Sequence, residues 1–204
     1  MPSRNIEKQY VPDAYYHIYN RGVEKRKIFL DDQDYTVFLS LLKRYLSKKS
    51  ELDKYGRDGV TFYEDIELQA YCLMPNHFHM LIYVGENPRA MTELMRRVCT
   101  AYTMYFNKKY LRVGHLFQGR FKASRVTTDQ YLVHISRYIH LNPKDYLNWQ
   151  YSSLPYYIRG WKAEWVRPEK IYGLYEWGSY EKFLEDYEDY KDTLDEIKHE
   201  LANS

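Results

Sequence analysis

Two histidines separated by one residue, at the head of an alternating apolar run, constrain this chain more than any other feature. The stretch Tyr71-Cys72-Leu73-Met74-Pro75-Asn76-His77-Phe78-His79-Met80-Leu81-Ile82-Tyr83-Val84 reads as a strand, a tight Pro-Asn turn and a second strand. Side chains alternate along a strand, so His77 and His79 share one face while Phe78, Met80, Ile82 and Val84 share the other. Two converging neutral imidazoles backed by an apolar face make half of a metal site. Two partly exposed surface histidines would leave the same pattern, so the pair alone decides nothing. Further along, Tyr131-Leu132-Val133-His134-Ile135-Ser136-Arg137-Tyr138-Ile139-His140-Leu141-Asn142-Pro143 has a helix pattern. It sets Tyr138 and Asn142 four residues apart, on one face.

A chain of 204 residues, 45% hydrophobic and 28% charged, is globular and long enough for one core with an appendage. It has no apolar run of membrane-spanning length, and Met1-Pro2-Ser3-Arg4-Asn5 lacks a signal-peptide core. A soluble, cytoplasmic protein with no membrane partner is the expectation. Cys72 and Cys99, the only cysteines, read as small core residues and not as a disulfide framework.

The net charge of +2 conceals an asymmetry: from Glu164 onward there are 12 acidic and 5 basic residues, so the preceding body is strongly basic. A basic body points to a polyanion partner, and the acidic tail is a candidate competitor for that surface. Many of the 24 tyrosines stand beside basic residues, as in Tyr19-Asn20-Arg21 and Tyr156-Tyr157-Ile158-Arg159. Such pairs suit single-stranded nucleic acid, whose bases stack on aromatic rings while cations follow the phosphates.

In chain order, Tyr15 to Asn20 alternates as a strand ended by Arg21-Gly22. A helix capped by Asp31 or Asp32 carries Tyr35, Phe38, Leu39, Leu42, Tyr45 and Leu46 at helical spacing. Ser47 to Glu64 reads as an inserted loop or small hairpin, followed by the hairpin strands at Ile66–Leu73 and His77–Val84. Asn87-Pro88 starts a second helix, and Gly114 to Lys122 suits a further strand or a tight hairpin. Thr127-Thr128-Asp129-Gln130 caps the tyrosine helix, which Pro143 ends. This order predicts an α+β fold, a ferredoxin-like antiparallel sheet with helices on one face, plus a C-terminal helical tail. The expected division is a catalytic domain over residues 1–147 and a Tyr/Trp-rich, acidic extension over 148–204, with a helix at about Tyr180–Leu201.

Taken together, Met74-Pro75-Asn76-His77-Phe78-His79, Gly119-Arg120-Phe121-Lys122 and Tyr138-Ile139-His140-Leu141-Asn142-Pro143 resemble the IS200-like, single-tyrosine transposases of the His-hydrophobic-His endonuclease superfamily. The closer resemblance is to the REP-associated tyrosine transposase branch. It covers roughly His17 to Tyr157, since His17-Ile18-Tyr19-Asn20-Arg21-Gly22 and Tyr151-Ser152-Ser153 also fit. Lys144-Asp145-Tyr146-Leu147-Asn148 departs from the short glycine-containing turn usual after the Asn-Pro.

The resemblance implies that Tyr138 is the nucleophile and that His77, His79 and Asn142 hold a metal ion. The reaction implied is transesterification of single-stranded or hairpin DNA through a 5′-phosphotyrosine link. An imidazole and amide donor set without thiolate suits Mg2+ or Mn2+. A phenol with a pKa near 10 needs help to lose its proton, and His134, one turn before Tyr138, is a candidate acceptor. Tyr131 lacks an amide four residues on and is the weaker candidate nucleophile. Arg120, Lys122, Arg125 and Arg137 are candidate phosphate contacts. His115 and His140 read as structural residues. Rival readings are a noncatalytic single-strand-binding module and a nuclease that uses water. A DNA partner implies nucleoid association; the chain is read as a monomer or a homodimer.

Overall fold

The computed structural model describes residues 10–49, 59–174 and 180–186. Four antiparallel strands, β1 (Ala14–Arg21), β2 (Ile66–Met74), β3 (His77–Val84) and β4 (Lys122–Val126), form a sheet in the order β2-β3-β1-β4. This is the ferredoxin-like order expected from the alternation of strand and helix patterns.

Helices α1 (Asp32–Leu46) and α2 (Arg89–Lys109) cover one face. The Asp31 side chain accepts from the Asp34 amide while Asp34 returns the favour to the backbone of Asp31, closing a capping box that starts α1. Phe38 and Leu42 of α1 and Leu94, Val98, Tyr102 and Phe106 of α2 then bury against Ile18, Phe78, Met80, Ile82 and Val84. Helix α3 (Asp129–His140), capped by the Thr128 side chain at the Tyr131 amide, takes the opposite face. The expectation of helices on one face therefore describes α1 and α2. The stripe Leu132, Ile135 and Ile139 of α3 packs on Ala70, Cys72 and Leu81, the apolar residues of the other side. The sheet is thus apolar on one face and mixed on the other, with its histidines on the mixed one.

Two boundaries differ from the sequence pattern. The fourth strand lies at Lys122–Val126 rather than within 114–122; Gly114 takes φ +85°, and Leu116 and Phe117 turn into the core as a plug. Helix α3 stops at His140, so Asn142 sits on the turn beyond it and not on the helix. Pro143 accounts for this, because the residue before a proline is pushed out of the helical region.

The segment after residue 148 closes onto the sheet. β2 would otherwise present a bare edge, a liability for any sheet. Leu73 N donates to Tyr151 O, Ser153 N to Tyr71 O and Arg167 N to Leu68 O, at 2.8–2.9 Å. Helices α4 (Leu154–Ile158), α5 (Glu169–Tyr172) and α6 (Tyr180–Glu185) complete this layer. The long tail helix is described only at Tyr180–Glu185; residues 187–204 and half of the 47–64 insert, residues 50–58, lie outside the described residues.

His140 is fully buried between the Tyr180 hydroxyl and the Ser153 hydroxyl, both at 2.7 Å, and so ties α3 to this layer. Among the described residues no helix is long and apolar enough to cross a membrane.

Gly22 marks where β1 meets the hairpin turn. Its N–H donates to Asn76 O at 2.9 Å, and a Cβ there would stand 2.2 Å from the Arg26 carbonyl oxygen. A Gly22→Ala variant is expected to lose about 1–3 kcal/mol in urea unfolding. Wild-type stability would show that the 21–26 turn yields at no cost.

Candidate functional site

The β1–β3 register assembles one side of the site. Tyr19 pairs with His79 and Arg21 with His77, while His17 lies opposite Leu81. By strand alternation His17, Tyr19 and Arg21 all rise from the face that bears His77 and His79. Helix α3 lies across that face and brings Tyr138 from the other side. The Tyr138 ring meets His79 edge-on at 5.3 Å between centroids and His17 at 5.9 Å. All of these side chains belong to one chain.

Asn142 joins the two sides. Its Oδ1 stands 3.1 Å from His77 Nε2, and its side chain beside the Tyr138 phenol favours the phenolate. Burial acts the other way and is larger, pushing the Tyr138 phenol up to about 12. Burial also holds His77 below its ordinary pKa and His79 well below it.

Whether these residues suit a cation follows from counting protons. The Asn76 amide donates to Lys25 O at 3.3 Å, which turns its Oδ1 toward His77 Nδ1 at 2.6 Å. An amide oxygen only accepts, so the proton of His77 sits on Nδ1 and Nε2 carries a lone pair. That lone pair faces the acceptor Oδ1 of Asn142, an arrangement that calls for positive charge between them. Adjacent ligands of an octahedral ion with bonds of about 2.1 Å lie about 3.0 Å apart, close to the separation here. The donor set and spacing therefore suit Mg2+ or Mn2+. Among the described residues no group of three or more His, Cys, Asp or Glu side chains could hold a metal, so such a site has to count the amide.

The pair opens into a cleft of about 640 Å³, whose walls include Tyr19, Arg21, Lys25, Gln118, Arg120 and Lys122. Two of the four expected phosphate contacts, Arg120 and Lys122, are thus beside the histidines. Arg125 is not: it is exposed on β4 opposite Tyr16, and alternation turns it to the α1/α2 side.

Arg137 is not a surface cation either. It is fully buried, its guanidinium donating to Phe183 O, Asp186 O and His134 Nδ1 and lying 4.3 Å from the Phe183 ring centroid. It fastens α6 to α3, which corrects its reading as a phosphate contact. The same contact corrects His134 as the proton acceptor. Its Nδ1 is engaged by Arg137 one turn on, its ring faces Phe183, and it does not line the cleft. Tyr131, in the first turn of α3, does not line it either.

The sequence pattern gives His17, Asn76 and Gln118 no role at the histidines and marks Tyr19 and Arg21 only as an aromatic–basic pair suited to nucleic acid. Three of them carried a usable signal: His17-Ile18-Tyr19-Asn20-Arg21 alternates with the phase that puts an imidazole, a phenol and a guanidinium on one strand face.

Residues 10–142, which contain every side chain of this site, match the transposase IS200-like family. A REP-associated tyrosine transposase, solved bound to a REP hairpin, is similar in fold: the TM-score is 0.56 over 78% of this chain and 92% of that chain, at 15% sequence identity. No curated protein matches the chain. On the extent of the family match, this chain belongs to the transposase IS200-like family.

Proposed function

We propose that this protein is a metal-dependent, single-stranded DNA endonuclease and strand transferase of the REP-associated tyrosine transposase branch. It cleaves and rejoins DNA at hairpin-forming sequences through a 5′-phosphotyrosine intermediate. The observation that carries the reading is the meeting of Tyr138, His77 and His79 in one basic, tyrosine-lined cleft, with Asn142 Oδ1 3.1 Å from His77 Nε2. The hairpin bound by the structural neighbour makes hairpin DNA the first substrate to test.

In this reading His77, His79 and Asn142 hold Mg2+ or Mn2+. Bound there, such an ion would supply polarisation of the scissile phosphate and an offset for charge developing on its oxygens. Tyr138 attacks phosphorus: the phenol oxygen–phosphorus bond forms, the phosphorus–O3′ bond breaks, and the phenol proton passes, net and through water, to the 3′-oxygen, which leaves as a hydroxyl. The Asn142 side chain beside the phenol opposes the burial that disfavours the phenolate. The link keeps the phosphodiester at nearly constant energy, so a second 3′-hydroxyl reverses the step and joins a new strand.

Arg120 and Lys122 hold flanking phosphates, and the Tyr19 ring offers a stacking surface at the cleft wall. Tyr138 stands beside the histidines of its own chain, so a monomer, or a homodimer acting in cis, fits this reading. A cytoplasmic, nucleoid-associated location follows from the DNA partner.

The test is incubation with labelled hairpin DNA and Mn2+, followed by denaturing electrophoresis. A covalent adduct is expected in the wild type and is expected to vanish in Tyr138→Phe. Binding with no adduct would leave a noncatalytic module, and cleavage that survives Tyr138→Phe would leave a water-using nuclease.

Strand binding separates the arginines. Arg120→Ala and Lys122→Ala are each expected to weaken hairpin affinity and to reduce the slope of log K against log salt by about 0.7, the share of one single-strand phosphate. Arg125→Ala is expected to match the wild type. Equal losses at Arg125 would move the DNA to the other side of the sheet.

A further inference from the structure

His77 has its proton placed by Asn76, but His79 has no amide beside it. Its Nδ1 instead lies 2.9 Å from Nε2 of His17, with the two rings edge to edge and close to coplanar, their centroids 5.0 Å and their planes 24° apart. His17 is 1% exposed and His79 5%, and a charge that far from water without a counter-ion is costly, so the contact is between neutral imidazoles. Two neutral rings at that distance share one proton, and its owner decides what His79 offers to the cleft. If His17 donates, the proton of His79 itself must sit on Nε2, and no lone pair is available there. If His79 donates from Nδ1, its Nε2 is bare and points away from His17, toward the cleft that His79 lines.

We infer that His17 is a positioning residue that accepts the Nδ1 proton of His79 and so turns the Nε2 lone pair of His79 into the cleft. The inference rests on the proposed role of His79 as a cation ligand and deepens it. It makes β1 and the β2–β3 turn equivalent partners: the Asn76 oxygen sets one tautomer, and the His17 nitrogen sets the other.

Metal-bound histidines need such partners, whose loss commonly weakens binding about 10- to 100-fold. A neutral imidazole in this place, where a carboxylate would also accept the proton, has a further consequence. It adds no negative charge beneath the cation, so the full charge of the ion stays available to a phosphate. The near-coplanar hydrogen bond also fixes the plane of the His79 ring, and the Tyr138 ring closes over both imidazoles edge-on.

The test begins with metal-free, DNA-free, 15N-labelled wild type, in which long-range 1H–15N correlations report each ring's tautomer. His79 is expected as the Nδ1–H form with Nε2 unprotonated; an Nε2–H form of His79 would overturn the inference. Titration with Mn2+ alone then compares two variants whose folding is checked by circular dichroism. His17→Phe, which keeps a ring but cannot accept, is expected to bind Mn2+ about 10- to 100-fold more weakly. His17→Gln, whose amide oxygen can accept, is expected to stay within about threefold of wild type. A folded His17→Phe that binds Mn2+ like the wild type would also overturn it. Should His17→Phe not fold, the wild-type tautomer decides alone. Because the tautomer is read without DNA or metal, a failure of strand transfer and a failure of this inference are separate results.

Discussion

The period-two geometry of the β1–β3 pair is the constraint on which the rest of this structure depends. It commits Ile18, Phe78, Met80, Ile82 and Val84 to one face, where α1 and α2 bury them. The same alternation obliges His17, Tyr19, His77 and His79 to rise from the other face. A slip of one residue in this register would exchange the two sets, burying imidazoles under the helices and exposing the core. Stability of the apolar face and integrity of the site are therefore one requirement, met by one register.

What α3 adds is a second layer on the mixed face, and its anchoring explains why that layer holds a phenol in place. Leu132, Ile135 and Ile139 supply the apolar contact. His140 and Arg137, both buried, tie the back of the helix to the layer that covers the β2 edge. Tyr180 donates its only hydroxyl proton to Ser136, so the contact with His140 has to be donated by the histidine. The protein thus spends its buried polar groups on the far side of α3 and leaves the Tyr138 side to face the cleft. On that side every donor is neutral: two imidazoles, an amide and a phenol kept protonated by burial. Arg21, Lys25, Arg120 and Lys122 line the same cleft.

Much of this was legible from residue order. The His-x-His hairpin, the caps of α1 and α3 and the ferredoxin-like strand order follow from local rules that the tertiary structure does not override. Asn142 was correctly placed near Tyr138 for a partly wrong reason: Pro143 stops the helix early, and the turn brings the amide back. Arg137 and Arg125 show what spacing does not reveal. A basic residue on an amphipathic helix looks like surface charge until the segment that buries it, here α6, is in place. An arginine on a short strand is committed to one face by a register set elsewhere in the chain. The same holds for the segment after residue 148, whose aromatic composition said that it would dock, not that it would close the β2 edge.

The central claim is that these residues of one chain converge on a single cation beside the Tyr138 phenol. Diffraction at the manganese absorption edge, from crystals grown with Mn2+, tests it most directly. The account predicts one anomalous peak bonded to His77 Nε2, His79 Nε2 and Asn142 Oδ1, with the Tyr138 hydroxyl alongside. Manganese bound elsewhere in the cleft, with those three atoms engaged only by protein groups, would contradict it.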